Sequence, residues 1–198
     1  NGMGRGVVPS GHPLLVTRAR SQALKQADVV IVVGTPLDFR LGYAKFGPAE
    51  APAEVIHVVD TPEQISAHAN PTAAVAGDVS LCLDGLAQAW EAHSQHRSRD
   101  SWLRDLQDAA AAAVAKDADA LTSTVDPIHP ARIYGELTPR LADDAVVIGD
   151  GGDFVSFAGK FVEPRKPGHW LDPGPYGCLG TGLGYAMASA IAKPSSQT

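Results

Sequence analysis

Two short blocks of β-branched residues constrain the fold of this chain most strongly. Residues 28–34 read Asp-Val-Val-Ile-Val-Val-Gly, and residues 54–60 read Glu-Val-Ile-His-Val-Val-Asp. Apolar runs of this length and composition are typical of strands that are buried on both faces. Apolar residues at helical spacing precede the first block, from residue 10 or 12 to residue 27, and recur over residues 79–92. This alternation predicts an α/β fold with a Rossmann-like parallel sheet covered on both faces.

The same alternation starts again after an alanine-rich stretch. Helical spacing runs over residues 102–121, where five consecutive alanines favour a surface helix over a core helix. A short helix is also predicted over residues 62–69, before the loop to Gly77. In the second unit we predict helices over residues 130–141, 154–162 and 177–192 and strands over residues 145–149 and 169–172. The predicted domains are a central Rossmann-like domain over 1–93 that lacks its first strand, a helical linker over 94–127, and part of a second α/β domain over 128–198.

Composition and charge exclude several classes of function. The 198 residues are 44% hydrophobic and carry a formal net charge of -6, so a core is possible and a nucleic-acid partner has no electrostatic support. The apolar stretch Val29–Val33 is far shorter than the roughly 20 residues that cross a bilayer, and no charged-then-apolar leader opens the chain. The two cysteines, Cys82 and Cys178, lie far apart without metal-ligand spacing. We expect a cytoplasmic protein with no membrane partner, in which both cysteines are buried.

Polar residues follow the predicted strands of the first unit, where ligands bind in parallel α/β sheets. Asp38 and Arg40 follow the first strand, and Asp60 ends the second. A strand-end acid is suited to ribose hydroxyls, and Arg40 could neutralise a diphosphate. The glycine-rich turn over residues 2–6 precedes a predicted helix and could also approach a phosphate. The alternatives are that Asp38 pairs with Arg40, that Asp60 caps the next helix, and that residues 2–6 form an ordinary tight turn.

The second unit contains two glycine-rich segments. Residues 149–153 read Gly-Asp-Gly-Gly-Asp between a predicted strand and a predicted helix, which is the pattern of a backbone-amide anion cradle. The alternative is a glycine turn with Asp153 as the N-cap residue. In the predicted helix from residue 177, four glycines would each cost about 1 kcal/mol relative to alanine. Close approach of a backbone or a ligand usually compensates for such glycines, so this segment is predicted to bind something.

These segments, in this order, resemble a family of thiamine-diphosphate-dependent enzymes that includes acetolactate synthase, oxalyl-CoA decarboxylase and 2-hydroxyacyl-CoA lyase. The likeness covers nearly the whole chain. Residues 4–13, 18–20, 34–40 and 77–79 are similar to the family's central domain, and the chain from residue 128 is similar to the first half of its diphosphate-binding domain.

The resemblance implies two sets of binding residues. The Asp-Phe-Arg at residues 38–40 is similar to an Asp-Asp-Arg of acetolactate synthases, which implies that Arg40 contacts FAD. Residues 151–153 match the loop over the cofactor diphosphate, Gly177 the carbonyl that accepts from the pyrimidine amino group, and Leu179 the apolar side chain that bends the cofactor. The implied thiamine diphosphate site comprises Gly151, Gly152, Asp153, Gly177, Cys178 and Leu179. The implied FAD or ADP site comprises Gly4, Arg20, Thr35, Asp38, Arg40, Asp60, Asp78 and Val79.

The resemblance also implies a function and partners. The main expectation is decarboxylation of pyruvate, a 2-keto acid, with carboligation to acetolactate, as in branched-chain amino acid biosynthesis. Thiamine diphosphate, Mg²⁺ and FAD are the implied cofactors, and a homodimer or homotetramer with a possible regulatory subunit is the implied assembly. The family's magnesium motif is also Gly-Asp-Gly, but it follows the glycine-rich helix. Asp150 is therefore not the expected metal ligand.

The resemblance further implies that the catalytic glutamate and the metal ligands lie outside residues 1–198, so that this chain alone is inactive. Two alternatives remain open. His12-Pro13 and Gly184-Tyr185 are more similar to the branch of 2-hydroxyacyl-CoA lyase and oxalyl-CoA decarboxylase. The other alternative is a non-catalytic module that binds adenine nucleotides.

Overall fold

The chain folds into two compact α/β units. The computed structural model describes residue 2 and residues 4–93 and 98–198, apart from the side chains of residues 153 and 175. One unit comprises Ala19–Leu106, and the other comprises Gln107–Thr198 together with the described residues up to Arg18. Every paired strand is parallel to its neighbour, which confirms the predicted fold class.

The Ala19–Leu106 unit is built on a three-stranded parallel sheet in the order β1-β2-β3. Val29 lies opposite Glu54 in the register of β1 and β2, and Ile56 lies opposite Ala73 in that of β2 and β3. The strands are β1 (Val29–Val33), β2 (Glu54–Val59) and β3 (Ala73–Ala76), and the helices that begin in this unit are α1 (Arg20–Gln26), α2 (Val79–His93) and α3 (Asp100–Lys116). The core consists of the buried residues Val32, Leu37, Phe46 and Val55.

The strand β1 is covered on one face only, which contradicts the prediction that it is buried on both. Val32 is buried, whereas Val29, Ile31 and Val33 are 47%, 50% and 37% exposed. Successive side chains of a strand point to opposite faces of the sheet. The described residues of this unit therefore bury one face of β1 and leave the other open.

Three local predictions for this unit were wrong. The predicted helix over 62–69 is only the 3-10 turn Pro62–Gln64, and the predicted loop after it contains β3, whose Ala-Ala-Val-Ala sequence has little β-branched character. The first helix, predicted from residue 10 or 12, begins only at Arg20. A 3-10 turn, Thr17–Ala19, leads into α1.

The other unit contains a two-stranded parallel sheet. Its hydrophobic core consists of the buried residues Tyr134, Ala158, Val162 and Trp170. The Tyr134 ring also stacks on Phe161, with 6.0 Å between ring centroids. The strands are β4 (Val147–Ile148) and β5 (Trp170–Leu171), and the helices that follow α3 are α4 (Ala118–Leu121), α5 (Pro130–Leu137), α6 (Gly152–Phe161) and α7 (Gly182–Ala192).

The N-terminal segment packs in this second unit, although the sequence assigned it to the central domain. Arg5 donates to the carbonyl oxygens of Gly159, at 3.1 Å, and Val162. Gln107 donates through Nε2 to the carbonyl oxygen of Pro13 at 2.9 Å. These contacts explain why the compact units do not divide at residue 93, and the sequence-based domain bounds stay a prediction.

No helix in the described part of the chain combines the length and the apolar character that a membrane span requires.

Candidate cofactor-binding site

The N-terminus of α6 is open to an external anion. Gly151 is the N-cap residue and has a φ of 83°, a conformation that favours glycine. No described side chain caps the helix, and a Cβ at Gly152 would have no heavy atom within 4 Å. Unpaired amides and the helix dipole make such an end an anion site. The side chain of Asp153, predicted to bind here, lies outside the described part of the structure.

The Asp150 carboxylate joins this loop to the second glycine-rich segment. Its Oδ1 accepts from Gly180 N at 3.1 Å, and its Oδ2 accepts from Gly182 N at 2.8 Å. A Cβ at Gly182 would lie 3.0 Å from the Cβ of Asp150. Close approach of the protein itself therefore explains Gly182. Sequence reasoning had excluded Asp150 as a metal ligand but had not found this bridging role.

The segment before α7 is a turn, so the prediction of a helix from residue 177 was wrong at its start. A 3-10 turn spans Gly174–Tyr176, and α7 begins only at Gly182. Gly177 and Gly180 have φ values of 62° and 85° in between. In this left-handed region glycine is the favoured residue, so the helical penalty does not apply to these two positions.

The turn exposes large side chains next to the α6 loop. Tyr176 is 89% exposed and Leu179 is 76% exposed. A Cβ at Gly151 would lie 3.7 Å from Leu179 Cδ2, while one at Gly177 would meet nothing within 4 Å. The structure thus brings Gly151 close to Leu179 and leaves space beside Gly177, while the binding of a cofactor by these residues stays a prediction.

The two cysteines differ in exposure. Cys178 is exposed within the turn and Cys82 is half-buried, and neither forms a disulfide. The expectation that both are buried was therefore wrong: Cys178 lies in a turn that is not packed into a core, and Cys82 on α2 is only partly covered.

Asp172 fixes the start of the turn. Its Oδ2 accepts from Trp170 Nε1 at 2.7 Å, and its Oδ1 accepts from Gly174 N at 2.8 Å. The buried Trp170 ring thereby holds the carboxylate that shapes the turn. Sequence reasoning did not identify this pair, although an acid two residues after a tryptophan and directly before Pro-Gly was a usable signal for an Asx-type turn.

The predicted nucleotide-binding residues of the Ala19–Leu106 unit follow strands that end at one edge. Gly34 N donates to Val58 O at 2.8 Å, and Gly77 N donates to Val59 O at 3.0 Å. The loops that carry Thr35, Asp60 and Asp78 therefore leave the sheet side by side. The His57 ring supports the first of them, since its Nε2 lies 3.0 Å from Thr35 O.

The Asp38–Arg40 pairing that we considered as an alternative is present. Asp38 Oδ1 accepts from the backbone N of Arg40 at 2.9 Å, and Arg40 Nε donates to both carboxylate oxygens at 3.1 Å. The hydrogen bond from the Arg40 side chain lowers the pKa of the Asp38 carboxyl. Whether this pair also holds a nucleotide stays a prediction.

The other acids at this edge differ in role. Asp78 Oδ1 accepts from Leu81 N at 3.0 Å, so it binds a first-turn amide of α2, which begins at Val79. Asp60 lies one residue before Thr61, the N-cap residue of the 3-10 turn. The alternative that Asp60 caps that turn was therefore wrong.

The two remaining residues of the predicted FAD or ADP set are Arg20 and Gly4. Arg20 is the first residue of α1. Gly4 belongs to the other compact unit, where its segment packs beside α6. The grouping of these residues into one nucleotide site stays a prediction.

Among the described residues, no three His, Cys, Asp or Glu side chains are grouped so that they could hold a metal ion.

Residues 1–86 match the family model of the thiamine pyrophosphate enzyme central domain. The chain therefore contains a domain of the thiamine pyrophosphate enzyme type.

Curated relatives of the chain carry two kinds of name. It is 43% identical over 200 residues to an acetolactate synthase large subunit of Mycobacterium tuberculosis, which covers 100% of this chain and 35% of that protein. It is 33% identical over 201 residues to 2-hydroxyacyl-CoA lyase 2 of Danio rerio, covering 99% of this chain and 32% of the relative. The chain thus spans about a third of the length of these relatives.

The described residues fit thiamine pyrophosphate in chemistry. The uncapped N-terminus of α6 suits the diphosphate, and the exposed Leu179 beside Gly151 suits an apolar ring. Both carboxylate oxygens of Asp150 accept hydrogen bonds from backbone amides of the protein. The residues therefore fit the organic cofactor, while the metal ligands stay a prediction outside this chain.

Proposed function

We propose that this chain supplies the cofactor-binding part of an acetolactate synthase that acts on pyruvate with thiamine diphosphate. The observation that carries the proposal is the junction made by Asp150, which brings the open end of α6 beside the turn with Gly177 and Leu179. The 43% identity to an acetolactate synthase large subunit over the whole chain supports this choice of reaction.

Each segment has a distinct role in the proposal. The first amides of α6, with Gly151 and Gly152, would hold the diphosphate. The Gly177 carbonyl would accept from the pyrimidine amino group, and Leu179 would contact the apolar part of the cofactor. When bound, the thiazolium ring accepts the electron pair that loss of carbon dioxide leaves. The fixed geometry of these residues orients the two rings before substrate arrives.

The proposed reaction converts two pyruvate anions and one proton into one acetolactate anion and one carbon dioxide. One carbon–carbon bond breaks when the first pyruvate loses its carboxylate, and another forms when the remaining two-carbon unit adds to the keto carbon of the second. No external oxidant or reductant is needed. A bound FAD would therefore have no net redox role in this conversion.

The remaining assignments belong to the same proposal. FAD or ADP would bind at the sheet edge near Thr35 and the Asp38–Arg40 pair, and Mg²⁺ would join the diphosphate with ligands from outside residues 1–198. The proposed protein is a cytoplasmic homodimer or homotetramer, and the relative's designation as a large subunit supports a regulatory partner.

A 2-hydroxyacyl-CoA lyase is the second candidate function. It is supported by the 33% identity to 2-hydroxyacyl-CoA lyase 2 over 99% of the chain and by the motifs at residues 12–13 and 184–185. The cofactor site would be the same in both enzymes. The candidates differ in whether a keto acid or an acyl-CoA occupies the space beside it.

The test uses the natural full-length protein, supplied with thiamine diphosphate and Mg²⁺. Acetolactate formed from pyruvate is the expected result, and a flavin absorption spectrum would identify FAD. Cleavage of a 2-hydroxyacyl-CoA without acetolactate formation would overturn the first candidate in favour of the second. Failure to bind thiamine diphosphate would overturn both, and adenine-nucleotide binding alone would then indicate a non-catalytic module.

A further inference from the structure

Helix α6 is held by arginines at the end opposite its open N-terminus. The last carbonyls of a helix have no partner within it. Here Arg5 donates to the carbonyl oxygens of Gly159 and Val162, and Arg18 Nη1 donates to that of Lys160 at 3.0 Å. Cations at a helix C-terminus also interact favourably with the helix dipole. The protein therefore satisfies one end of α6 itself.

Arg5 also contacts the strand that leads to the cofactor turn. Its guanidinium carbon lies 4.1 Å from the centroid of the Trp170 ring, within the range of a cation–π contact. Trp170 in turn donates to Asp172, and Asp172 accepts from Gly174 N at the start of the turn. One side chain thus joins α6 to the segment that carries Gly177 and Leu179.

The glycines around Arg5 allow this placement. A Cβ at Gly6 would collide with the carbonyl group of Lys166, and one at Gly2 would collide with the Asp172 carboxylate. Gly6 also has a φ of 82°. Gly2 and Gly6 therefore serve close packing against residues 166–172, whereas sequence reasoning had considered a direct phosphate contact in this segment.

We propose that Arg5 is a positioning residue for thiamine diphosphate. It acts through α6 and Trp170, fixing the diphosphate amides at the helix start relative to the turn that supports the rings. The inference rests on the proposed cofactor site, but Arg5 itself does not need to touch the cofactor. Arginine is suited to this task because a planar guanidinium can donate several hydrogen bonds and stack on an aromatic ring at once.

The first experiment compares Arg5→Gln and Arg5→Lys with the wild-type full-length protein. The dissociation constant of thiamine diphosphate, with Mg²⁺ present, is measured by tryptophan fluorescence. Arg5→Gln is expected to raise this dissociation constant about tenfold. Arg5→Lys is expected to raise it less, because lysine keeps the positive charge but lacks the planar guanidinium with its several donors. At saturating cofactor, the KM for the proposed substrate pyruvate is expected to stay within about twofold of the wild type.

The matched control is Arg104→Gln, which removes the same charge from an exposed residue of α3. It is expected to leave the dissociation constant unchanged. An unchanged constant in a folded Arg5→Gln protein would overturn the proposal. If Arg5→Gln does not fold, an unchanged constant in Arg5→Lys would do so.

A second measurement separates this inference from the proposed function. Hydrogen exchange is followed in the cofactor-free protein for the backbone amides of α6 and of residues 172–182. Arg5→Gln is expected to speed exchange in both segments, while Arg104→Gln leaves both unchanged. Unchanged exchange in Arg5→Gln would overturn the positioning role even if the wild type binds thiamine diphosphate. Faster exchange without cofactor binding by the wild type would contradict the proposed function alone.

Discussion

Helices α6 and α7 both begin in glycine-rich segments that follow a strand, but their N-termini differ in what binds their amides. At α7, the Asp150 carboxylate accepts from Gly180 N and Gly182 N. At α6, no described side chain performs this role, and the cap residue is a glycine. The two helix starts are connected, since Asp150 lies directly before the α6 cap.

This difference indicates how one loop can serve two helices. An anion at a helix N-terminus is favourable whether it comes from the protein or from a ligand. The chain supplies its own anion to α7 and holds the C-terminus of α6 with Arg5 and Arg18. The N-terminus of α6 is thereby left for an external anion, proposed to be a diphosphate.

The largest effect is expected from giving the N-terminus of α6 a carboxylate of its own, as Asp150 does for α7. Gly152→Asp places a carboxylate at the first residue of α6, where a side chain has room. It should stabilise the helix by about 0.3–1 kcal/mol, yet weaken thiamine diphosphate binding by about 100-fold, because two anions then compete for one site. Calorimetric titration and thermal unfolding of the full-length protein measure both. Gly152→Asn is the neutral control, and unchanged cofactor affinity in Gly152→Asp would refute the assignment of α6.

The next effect is expected from removing the anion of α7. Asp150→Ala leaves two amides without their acceptor and frees the turn from the α6 loop. We expect the free energy of unfolding to fall by about 1–2 kcal/mol and thiamine diphosphate to bind about tenfold more weakly. Asp150→Asn keeps one acceptor oxygen. Its free energy of unfolding, from chemical denaturation, and its affinity for thiamine diphosphate, from titration, should lie between those of the wild type and Asp150→Ala. A loss of stability without a loss of affinity would mean that the two helix starts are independent.

A smaller effect is expected at the exposed Leu179. Leu179→Ala should change the free energy of unfolding by less than about 0.5 kcal/mol, because the side chain packs against little protein. Its kcat at saturating cofactor should nevertheless fall severalfold, because the cofactor loses support for its bend. Leu179→Met should retain the wild-type rate, since methionine offers similar apolar bulk. Equal rates in all three proteins would exclude Leu179 from the cofactor site.

The smallest effect is expected from lowering the pH, through Asp117, which pairs with Lys160 near the C-terminal end of α6. A hydrogen bond from Lys160, at 2.6 Å, and then one from Arg18 lower the pKa of Asp117. A lowered pKa contributes stability above the unfolded value of about 4, and this contribution is lost as the pH falls through the folded value. The free energy of unfolding, measured by denaturation at pH 7 and near pH 3, should therefore fall slightly less on acidification in Asp117→Asn than in the wild type. Parallel pH profiles would contradict this.

Much of the fold follows from local patterns. The blocks around Val29–Val33 and Glu54–Val59 form strands where the sequence predicts them, because β-branched runs favour extended backbone wherever they are placed. The strand Ala73–Ala76 was missed since alanine carries no such preference. Its extended conformation is set by pairing with β2.

The candidate site was predictable only in part. Glycines at 151, 152 and 177 indicated close approach of a ligand or a backbone, and the family resemblance assigned them to a cofactor. The helix predicted from residue 177 instead begins at Gly182, because the Asp150 carboxylate and the left-handed Gly177 and Gly180 hold a turn before it. Asp150 lies 32 positions from Gly182, so no local pattern could show this contact.

The sequence by itself determined the likeness to thiamine pyrophosphate enzymes, the α/β class and the presence of two glycine-rich segments, because these depend on residue types and their order. Only the tertiary structure decided that Arg5 binds the end of α6, at separations of more than 150 residues from its carbonyl partners. Only it decided which helix start receives Asp150 and which remains open. Both decisions depend on which chain segments meet in space, since a hydrogen bond acts over about 3 Å whatever the distance along the chain.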